Sequence, residues 1–516
     1  MTARLLWVDD EIEMLRAHII FLEKKGYTVS TASNGSDALD LCRDNAFDLI
    51  LLDENMPGLS GLETLGGIKE ILPNVPVVMV TKNEAEDLMD QAIGSKIADY
   101  LIKPVNPNQI LLALKKHIHA RHLEHEVSET AYRQDFGRIG MQLSDALDHE
   151  EWAELYKRLV RWELELPAEG AMNEMLQMQK EEANQAFAKY IRREYPRWIS
   201  GEATSRPLLS HEVLGHTVFP RLRQGRRVFL LVLDNLRFDQ WRTISAELSD
   251  NFDIDERLCY SLLPTATQYA RNALFAGLLP ADIRRLHPDL WVEEEDEEGK
   301  NLCEDALLAH HLRRHGLSIP YTYHKLSDTA AADRLLSSLP RLLTTPFNAL
   351  VVNFVDILSH ARTESKMVRE LVANEAAYRS ITLSWFRHSP IRSLFQTLAE
   401  AGCDIVVTTD HGSIRTDTPL KVIGEKSTNT NLRYKTGRNL GGYQTRDVFE
   451  VKRPELIGLP APRLSTTYIF ATGNRFFAYP NNYNHYVSYY RGTFQHGGIS
   501  MEEMIVPLAI LRPKQE

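Results

Sequence analysis

The sequence has little of what marks several protein classes. Among its 516 residues only four are cysteines, namely Cys42, Cys259, Cys303 and Cys403, and none forms a CxxC pair, so we expect no disulfide framework. The longest apolar runs, such as Val228–Leu233, are strand-sized, whereas a membrane-spanning helix needs about 20 apolar residues. With 27 glycines and 23 prolines, collagen-like and linker-rich classes are also excluded.

The sequence has neither a signal peptide nor an excess of basic residues. Apolar Leu5–Val8 is followed directly by acidic Asp9–Glu11, which is unlike a secretory signal. With 59 basic and 70 acidic residues the net charge is −11, whereas proteins that mainly grip duplex DNA are usually basic. We therefore expect a cytoplasmic protein without a transmembrane segment, and we do not expect duplex DNA binding.

The chain is long enough for about three domains, and its composition changes twice. Residues 1–121 alternate helical patterns with strand-like runs, which predicts a parallel sheet covered by helices on both faces. The predicted strands are Arg4–Val8, Thr28–Ala32, Asp48–Leu52, Val77–Val80 and Tyr100–Ile102. Residues 122–206 predict a small helical bundle that acts as a connector, and residues 207–516 return to strand–helix alternation. The fold class is thus multidomain α/β.

Polar residues follow the strands of the first predicted domain. They are Asp9 and Asp10 after the first strand, Asp53 after the third, Thr81 after the fourth and Lys103 after the fifth. Such residues meet in a crevice at one sheet edge, where three carboxylates need a cation such as Mg²⁺. A carboxylate beside this ion can attack a phosphoryl group. The alternative is that these residues only cap helices, as aspartate often does. That alternative would be preferred for a single residue, but not for five residues at consecutive strand ends.

The motifs VDDE, LLDENMPG, VTK and LIKP, in this order, resemble the receiver domain of two-component response regulators over residues 3–121. The resemblance implies a flavodoxin-like fold and a sensor histidine kinase as partner. It also implies that Asp53 is the phosphorylated residue and that Thr81 and Lys103 form the switch pair. The Mg²⁺ ligands that it implies are Asp9, Asp10, Asp53 and the backbone of Asn55.

Six aspartates and histidines stand near strand ends in the last segment: Asp234, Asp356, His360, Asp410, His411 and His496. Six such groups suffice for two metal sites with three side-chain ligands each. Mixed carboxylate and imidazole ligation favours Zn²⁺, or Mn²⁺, over Ca²⁺. Asn235, Arg237 and Arg271 lie near these motifs in sequence and are candidates to grip phosphoryl oxygens. The basic run Arg221–Arg227 fits either a polynucleotide guide or, preferably, a solvated strand entry.

The segment Pro264–Pro280 contains a predicted helix that begins near Thr267 and ends at Gly277. A hydroxyl at a helix amino terminus gains from the helix dipole and can act as a nucleophile beside a metal. Taken alone, Thr265 or Thr267 fits an N-cap equally well. Beside two metal sites, a nucleophilic threonine is the preferred interpretation.

These motifs resemble the alkaline phosphatase superfamily and, within it, the PglZ-type domain. In that superfamily the nucleophile precedes a helix-ending glycine by ten residues, a spacing that Thr267 and Gly277 reproduce and Thr265 does not. Related phosphodiesterases usually have glycine where this chain has Ser359. The resemblance implies a zinc site formed by Asp234, Thr267, Asp410 and His411. It implies a second zinc site formed by Asp356, His360 and His496.

A receiver, a helical connector and a PglZ-type domain, in that order, resemble PorX-type response regulators, a family associated with type IX secretion. The resemblance implies zinc-dependent cleavage of phosphodiester bonds in small or linear nucleotides, with two Zn²⁺ and one Mg²⁺ per chain. It also implies homodimerisation on phosphorylation. The alternative is a regulatory protein that binds a sigma factor or a secretion component. In that case the output domain would be stabilised by metal without being catalytic.

Overall fold

The computed structural model describes residues 3–73, 75–81, 97–294, 296, 299–425, 428–463 and 465–514. The chain divides into two compact units, Met1–Arg133 and Gln134–Glu516. No described helix combines the length and the apolar composition that crossing a membrane requires.

The first unit is built on a five-stranded parallel sheet with the order β2-β1-β3-β4-β5. Its strands are β1 (Arg4–Val8), β2 (Thr28–Ala32), β3 (Leu49–Asp53), β4 (Val77–Thr81) and β5 (Asp99–Ile102). The described helices are α1 (Arg16–Lys24), α2 (Gly35–Asp44), α3 (Gly61–Ile71) and α4 (Pro107–Leu114), with 3₁₀ and π turns at Ile12–Leu15 and Lys115–His119. The strand order is flavodoxin-like, and it opens a crevice at the carboxyl ends of β1 and β3.

The predicted parallel sheet is confirmed, with small shifts in strand ends. Asp53 and Thr81 are the last residues of β3 and β4 rather than the residues after them, because the ladder continues to the pair Asp53–Val80. Every residue of β3 is buried, as expected for a central parallel strand. Helix α3 begins with a reciprocal capping box between Ser60 and Glu63, which satisfies two free backbone N–H groups.

Three helices follow: α5 (Ala120–Leu143), α6 (His149–Glu165) and α7 (Ala171–Ser200). The connector is therefore helical, as predicted. Aromatic side chains link α6 and α7, since the ring centroids of Trp152 and Phe187 lie 5.3 Å apart. Trp198 at the end of α7 meets the ring of Tyr260 at 5.5 Å. These buried rings attach the connector to the sheet that follows.

The rest of the second unit surrounds a six-stranded mixed sheet with the order β7-β18-β10-β6-β9-β8. Its strands are β6 (Val228–Leu233), β7 (Phe252–Tyr260), β8 (Tyr321–Leu326), β9 (Phe347–Val352), β10 (Asp404–Thr408) and β18 (Ile505–Pro513). Strands β8, β9, β6 and β10 are parallel, and β18 runs antiparallel to β10. The predicted strand Leu350–Phe354 instead ends at Val352, because Phe354 begins the helix that carries Asp356.

The remaining helices and strands cover this sheet and its carboxyl edge. The helices are α8 (Phe219–Arg223), α9 (Phe238–Ala246), α10 (Thr267–Ala276), α11 (Pro280–Leu286), α12 (Glu304–Arg314), α13 (Thr329–Ser337), α14 (Leu339–Leu342), α15 (Phe354–Glu364), α16 (Lys366–Leu371), α17 (Glu375–His388), α18 (Pro390–Glu400), α19 (Tyr483–Tyr490) and α20 (Met501–Met504). The strands are β11 (Ile414–Arg415), β12 (Thr418–Lys421), β13 (Tyr434–Gly437), β14 (Val448–Val451), β15 (Thr467–Ala471), β16 (Arg475–Ala478) and β17 (Phe494–Gln495). Short 3₁₀ or π turns occur at Ser210–Glu212, Leu214–Val218, Pro288–Leu290 and Pro454–Ile457.

Candidate functional site

The first unit gathers its acidic residues around one lysine. Lys103 Nζ lies 2.8 Å from Asp9 Oδ2 and 3.0 Å from Asp53 Oδ2. Carboxylate oxygens of Asp9, Asp10 and Asp53 lie within 4.8 Å of one another. Backbone N–H groups hold two further oxygens, since Glu11 N donates to Asp9 Oδ1 at 2.9 Å and Glu54 N donates to Asp53 Oδ1 at 3.0 Å. The strand ends thus bring together four of the residues predicted for this site.

Burial sets the electrostatics of this crevice. It raises the pKa of Asp53 above its usual value, although Lys103 acts in the opposite direction. Burial alone would lower the pKa of Lys103, but its bonds to Asp9 and Asp53 raise it. Three carboxyl groups facing one ammonium group leave an excess of negative charge, which suits a hard divalent cation.

Two further residues that the sequence analysis assigns to this site lie at the margin of the crevice. The Thr81 hydroxyl donates a hydrogen bond to the carboxylate of Glu54. The side chain of Asn55 is exposed in the loop after β3.

The first ligand cluster of the second unit comes from the ends of β6 and β10 and the start of α10. Oxygen and nitrogen atoms of Asp234, Asp410 and His411 lie within 4.8 Å of one another. His411 Nε2 lies 3.8 Å from Asp234 Oδ1 and 3.7 Å from Asp410 Oδ2. It is also hydrogen-bonded to Thr267 Oγ1 at 3.1 Å. All four residues predicted for this site are therefore brought together.

The second ligand cluster combines Asp356 and His360, one turn apart on α15, with His496 directly after β17. Asp356 lies 3.6 Å from His360 Nε2 and 3.7 Å from His496 Nε2. The rings of His411 and His496 stack with centroids 4.2 Å apart, so the two clusters are adjacent. Asn235 lies between them and donates from Nδ2 to Asp356 Oδ1 at 3.3 Å.

Hydrogen bonds set the orientation of two of the imidazole rings. His411 Nδ1 donates to Gly412 O at 3.1 Å, and His496 Nδ1 donates to Thr265 O at 3.2 Å. Because carbonyl oxygens only accept, each Nδ1 carries a proton, and each Nε2 is the ring nitrogen that faces the carboxylates. This is the arrangement of metal-binding histidines whose second nitrogen is fixed by a hydrogen bond.

The burial and charge of the side chains in the two clusters also favour cation binding. Asp234 Oδ1 and Asp410 Oδ2 are buried and accept no hydrogen bond from the described residues. Burial and the charge of Asp234 raise the pKa of Asp410 to about 6, and the same causes raise the pKa of Asp356. Burial lowers the pKa of His496 well below its usual value. Buried carboxylate oxygens that accept no hydrogen bond are costly, and a divalent cation at each cluster would compensate them.

Thr265 and Thr267 differ in what their hydroxyl groups contact. Thr265 is fully buried; its Oγ1 donates to Gly498 O at 2.9 Å and accepts from Gly497 N at 3.0 Å. Thr267 is the first residue of α10 and its hydroxyl faces His411. The helix ends at Gly277, whose φ of 60° favours glycine and where a Cβ would come within 2.1 Å of His311.

Three contacts that shape the candidate metal-ligand clusters had no clear signal in the sequence. Thr409 Oγ1 donates to His411 O at 2.8 Å and accepts from Leu236 N at 3.1 Å, which ties the ligand loops of β10 and β6 together. A Cβ on Gly412 would lie 2.0 Å from Glu502 O, so the loop after His411 requires glycine. The position of Thr409 directly before the ligands was the only sequence signal for its role.

The structure corrects the interpretation of Arg271 and Arg237 as substrate-gripping residues. Arg271 is 1% exposed; its guanidinium lies 2.5 Å from both Asp234 Oδ2 and Glu304 Oε1. Arg237 is equally buried and pairs with Asp239 and Glu375. Both arginines hold acidic groups within the protein. Sequence reasoning missed the role of Glu304 because it lies far from Asp234 along the chain.

The basic run Arg221–Arg227 lies at the opposite end of the sheet from the ligands. Arg226 pairs with Asp404 at the amino end of β10, and Arg227 donates to Leu343 O at 3.0 Å and to Ala401 O at 2.6 Å. These contacts fit the preferred interpretation, a strand entry, rather than a substrate guide.

Three family profiles match successive parts of the chain. Residues 5–115 match the response regulator receiver domain, and residues 122–199 match the PorX response regulator linker domain. Residues 213–511 match the BREX system PglZ alkaline phosphatase-like domain. Fold and sites thus define a two-component response regulator with an alkaline phosphatase-like output domain. The last match spans more than half of the sequence, so the chain belongs to the PglZ family, and its domain order is that of a PorX-type regulator.

Curated relatives are similar to only part of the chain. It is 38% identical over 137 residues to the transcriptional regulatory protein ZraR of Klebsiella oxytoca, covering 26% of this chain and 31% of that protein. It is 39% identical over 120 residues to the alginate biosynthesis transcriptional regulatory protein AlgB of Pseudomonas syringae pv. tomato, covering 23% and 27%. The chain thus spans about a third or less of the length of these relatives.

Solved receiver structures are also similar. A response regulator receiver domain from Clostridium thermocellum is 32% identical and covers 23% of this chain and 98% of its own, with a TM-score of 0.23. The chemotaxis protein CheY4 of Vibrio cholerae is 28% identical and covers 23% and 99%, with a TM-score of 0.22.

Proposed function

We propose that the output domain is a zinc-dependent phosphodiesterase that cleaves small or linear nucleotides, under the control of phosphorylation at Asp53 by a sensor histidine kinase. The observation that carries the proposal is the pair of adjacent three-residue clusters with the Thr267 hydroxyl beside one of them. The PorX-type linker supports a role in type IX secretion.

The proposed zinc sites follow from the donor sets. One ion would be held by Asp234, Thr267, Asp410 and His411, and the other by Asp356, His360 and His496. Mixed oxygen and imidazole nitrogen donors suit Zn²⁺. When bound, two such ions supply Lewis acidity that stabilises negative charge on the attacking and leaving oxygens.

Thr267 is the proposed nucleophile because of its place at the start of α10. The amino end of a helix stabilises negative charge, and His411 orients the hydroxyl through the 3.1 Å hydrogen bond. The Thr267 oxygen gives up its hydroxyl proton to water and forms a bond to phosphorus, while the bond to the leaving oxygen breaks and that oxygen takes up a proton from water. Water then cleaves the phosphothreonine, which restores the hydroxyl. A diester is preferred over a monoester on the family resemblance.

Metal removal tests this proposal. Zinc-loaded protein is expected to hydrolyse bis-p-nitrophenyl phosphate roughly tenfold or more faster, in kcat/KM, than p-nitrophenyl phosphate. A chelator should abolish the activity because the buried carboxylates lose their compensating charge, and added Zn²⁺ should restore it where Mg²⁺ does not. Initial rates of nitrophenolate release measure each case.

A protein that binds two zinc ions and cleaves neither compound would contradict the enzymatic proposal. That result would favour the alternative, in which the output domain is a metal-stabilised module that binds a sigma factor or a secretion component. Capture of such partners by the phosphorylated and unphosphorylated protein would then be the informative experiment.

We also propose that the receiver crevice accepts a phosphoryl group at Asp53. Asp9, Asp10, Asp53 and the backbone of Asn55 would hold one Mg²⁺. Lys103, which already contacts Asp53, would pair with a phosphoryl oxygen. The Thr81 hydroxyl would donate its hydrogen bond to the phosphoryl group instead of to Glu54. This change would bias the receiver toward pairing with a second copy of the chain.

Asp53→Asn is expected to abolish phosphorylation of the intact protein by a small phosphoryl donor in Mg²⁺, because the amide is not nucleophilic. Mass spectrometry measures the gain of one phosphoryl group, and light scattering should show a doubled molar mass in the wild type alone. Asp40→Asn is the matched control, since Asp40 is an exposed acid on α2. Phosphorylation of Asp53→Asn would disprove the assignment, and an unchanged molar mass of phosphorylated wild type would disprove dimerisation.

A further inference from the structure

The short helix α20 contacts the backbone beside both ligand clusters. Gly412 N, which directly follows His411, donates to Glu503 O at 3.1 Å. Gly498 N, two residues after His496, donates to Glu503 Oε1 at 2.9 Å. One residue of α20 thus holds both the loop that carries a ligand of the first cluster and the loop that carries a ligand of the second.

The end of α20 is linked to a third ligand through Ser261. Ser261 N donates to Met504 O at 2.7 Å, and the hydroxyl of Ser261 donates to Asp410 O at 2.6 Å. Ser261 is fully buried and directly follows β7. Helix α20 is therefore connected by hydrogen bonds to the backbone at or beside Asp410, His411 and His496.

Glu503 is itself fixed by buried partners. Arg433 donates to both carboxylate oxygens of Glu503, from Nε at 3.1 Å and from Nη2 at 2.6 Å. The Ser500 hydroxyl donates to Glu503 Oε2 at 2.8 Å, and all three residues are fully buried. Charge-assisted hydrogen bonds of this kind are among the strongest in proteins. We therefore expect α20 and the loop at Gly498 to move together.

The neighbouring residue of α20, Glu502, faces the connector instead. Asn184 on α7 donates from Nδ2 to Glu502 Oε2 at 3.0 Å and accepts from Met501 N at 2.8 Å. Lys180, one turn earlier on α7, pairs with Glu502 Oε1 at 3.3 Å. Asn184, Lys180 and Glu502 are each at most 5% exposed. Buried polar groups that satisfy one another in this way are costly to separate.

We infer that α20 passes the position of the connector helix α7 to both ligand clusters, and that Asn184 and Glu503 are positioning residues of the site. Asn184 bonds to α20 and Glu503 bonds to the ligand loops, so each acts through other groups. A connector that served only as a tether could be attached by apolar packing, such as the contact of Trp198 with Tyr260. The inference rests on the proposed zinc sites and gives the route by which the connector acts on them.

Reversing one hydrogen-bonded pair tests the inference. Asn184→Asp removes the donor and places a carboxylate against Glu502, so it should weaken zinc affinity about 10- to 100-fold, as loss of groups that orient metal ligands does. Adding Glu502→Gln restores the bond in the opposite direction, because the new amide donates to the new carboxylate while its oxygen still accepts from Lys180. The net charge is then that of the wild type. The double variant should bind zinc within about threefold of the wild-type affinity.

Competition with a fluorescent zinc chelator measures the affinity of the intact protein, and urea unfolding shows whether each variant is folded in the assay. Asn173→Asp is the matched control, because Asn173 lies on the same helix and donates to Ala168 O at 2.7 Å within the connector. This variant should retain the wild-type zinc affinity. If Asn184→Asp does not fold, Asn184→Ala takes its place, since it removes the same bonds without adding charge.

A merely structural role of Asn184 would lower the free energy of unfolding and leave the zinc affinity of the folded protein unchanged, and that result would overturn the inference. A folded double variant that does not recover zinc affinity would overturn it as well. The zinc titration needs no turnover, so it decides the inference even if the protein hydrolyses no bis-p-nitrophenyl phosphate. Where hydrolysis is observed, Asn184→Asp should lower kcat more than it raises KM, because Asn184 acts on the ligands and not on the substrate.

Discussion

Replacing Thr267 with alanine is expected to lower kcat for phosphodiester hydrolysis by at least about 10³-fold. The side chain would lose the only atom that forms a bond to phosphorus in the proposed reaction. Three side chains would remain at each cluster, so the zinc content should stay at two per chain. Steady-state kinetics with bis-p-nitrophenyl phosphate and metal analysis of the same samples measure both quantities.

Two further variants make this prediction specific. Thr267→Ser keeps a hydroxyl at the start of α10 and should retain most of the activity. Thr265→Ser keeps the hydrogen bonds to Gly497 and Gly498 and should behave like the wild type. If Thr267→Ala retained activity within tenfold of wild type while zinc was bound, Thr267 would not be the nucleophile, and a water-based attack would replace it.

Arg237→Ala is expected to lower the free energy of unfolding of the second unit by about 3–5 kcal/mol. The guanidinium is 1% exposed and pairs with Asp239 at 2.7 Å and with Glu375. Although burial acts in the opposite direction, Arg237 and Arg379 hold the pKa of Asp239 well below its usual value. Without Arg237 these buried acids would be left with too little positive charge.

Urea unfolding followed by tryptophan fluorescence measures this change. Arg242→Ala is the matched control, because Arg242 lies on α9, which Arg237 directly precedes, is 48% exposed and pairs with Glu256 at the surface. Such a pair contributes about 0–1 kcal/mol. Arg237→Lys keeps the charge but not the two-pronged hydrogen bonding of arginine, and should fall between the two. Equal destabilisation by Arg237→Ala and Arg242→Ala would show that the buried pairs contribute no more than a surface pair.

The buried charges around Arg237 join the connector to the output domain. Glu163 on α6 accepts from Arg379 at 2.6 Å and from Lys180 at 2.8 Å, and Lys180 on α7 also pairs with Glu502 at 3.3 Å. Carboxylates of Glu163, Asp239 and Glu375 lie within 4.8 Å of one another. The cations Arg237, Arg379 and Lys180 neutralise them, so this acidic group is part of an ion-pair network rather than a further metal site.

Much of the fold could be predicted from local pattern alone. Strands buried on both faces are largely apolar runs, and β1, β6 and β10 begin and end where the sequence predicts. The partly exposed strand β2, with the sequence TVSTA, also begins and ends as predicted. Other strands end a few residues away from the predicted positions. The reason is that backbone pairing, which the local pattern does not encode, decides where a strand ends. The residues predicted as ligands fall into groups for a related reason, since parallel strands place their carboxyl ends at one sheet edge.

The sequence by itself determined the order of the domains, the sheet-edge positions of the acids and histidines, and the spacing that distinguishes Thr267 from Thr265. Only the tertiary structure decided which groups compensate one another. It paired Arg271 with Glu304 and Asp234, Arg237 with Glu375, and Arg379 with Glu163. The physical reason is that periodicity encodes which face of an element is buried, whereas the partner of a buried charge depends on elements that are distant in sequence and adjacent only after packing.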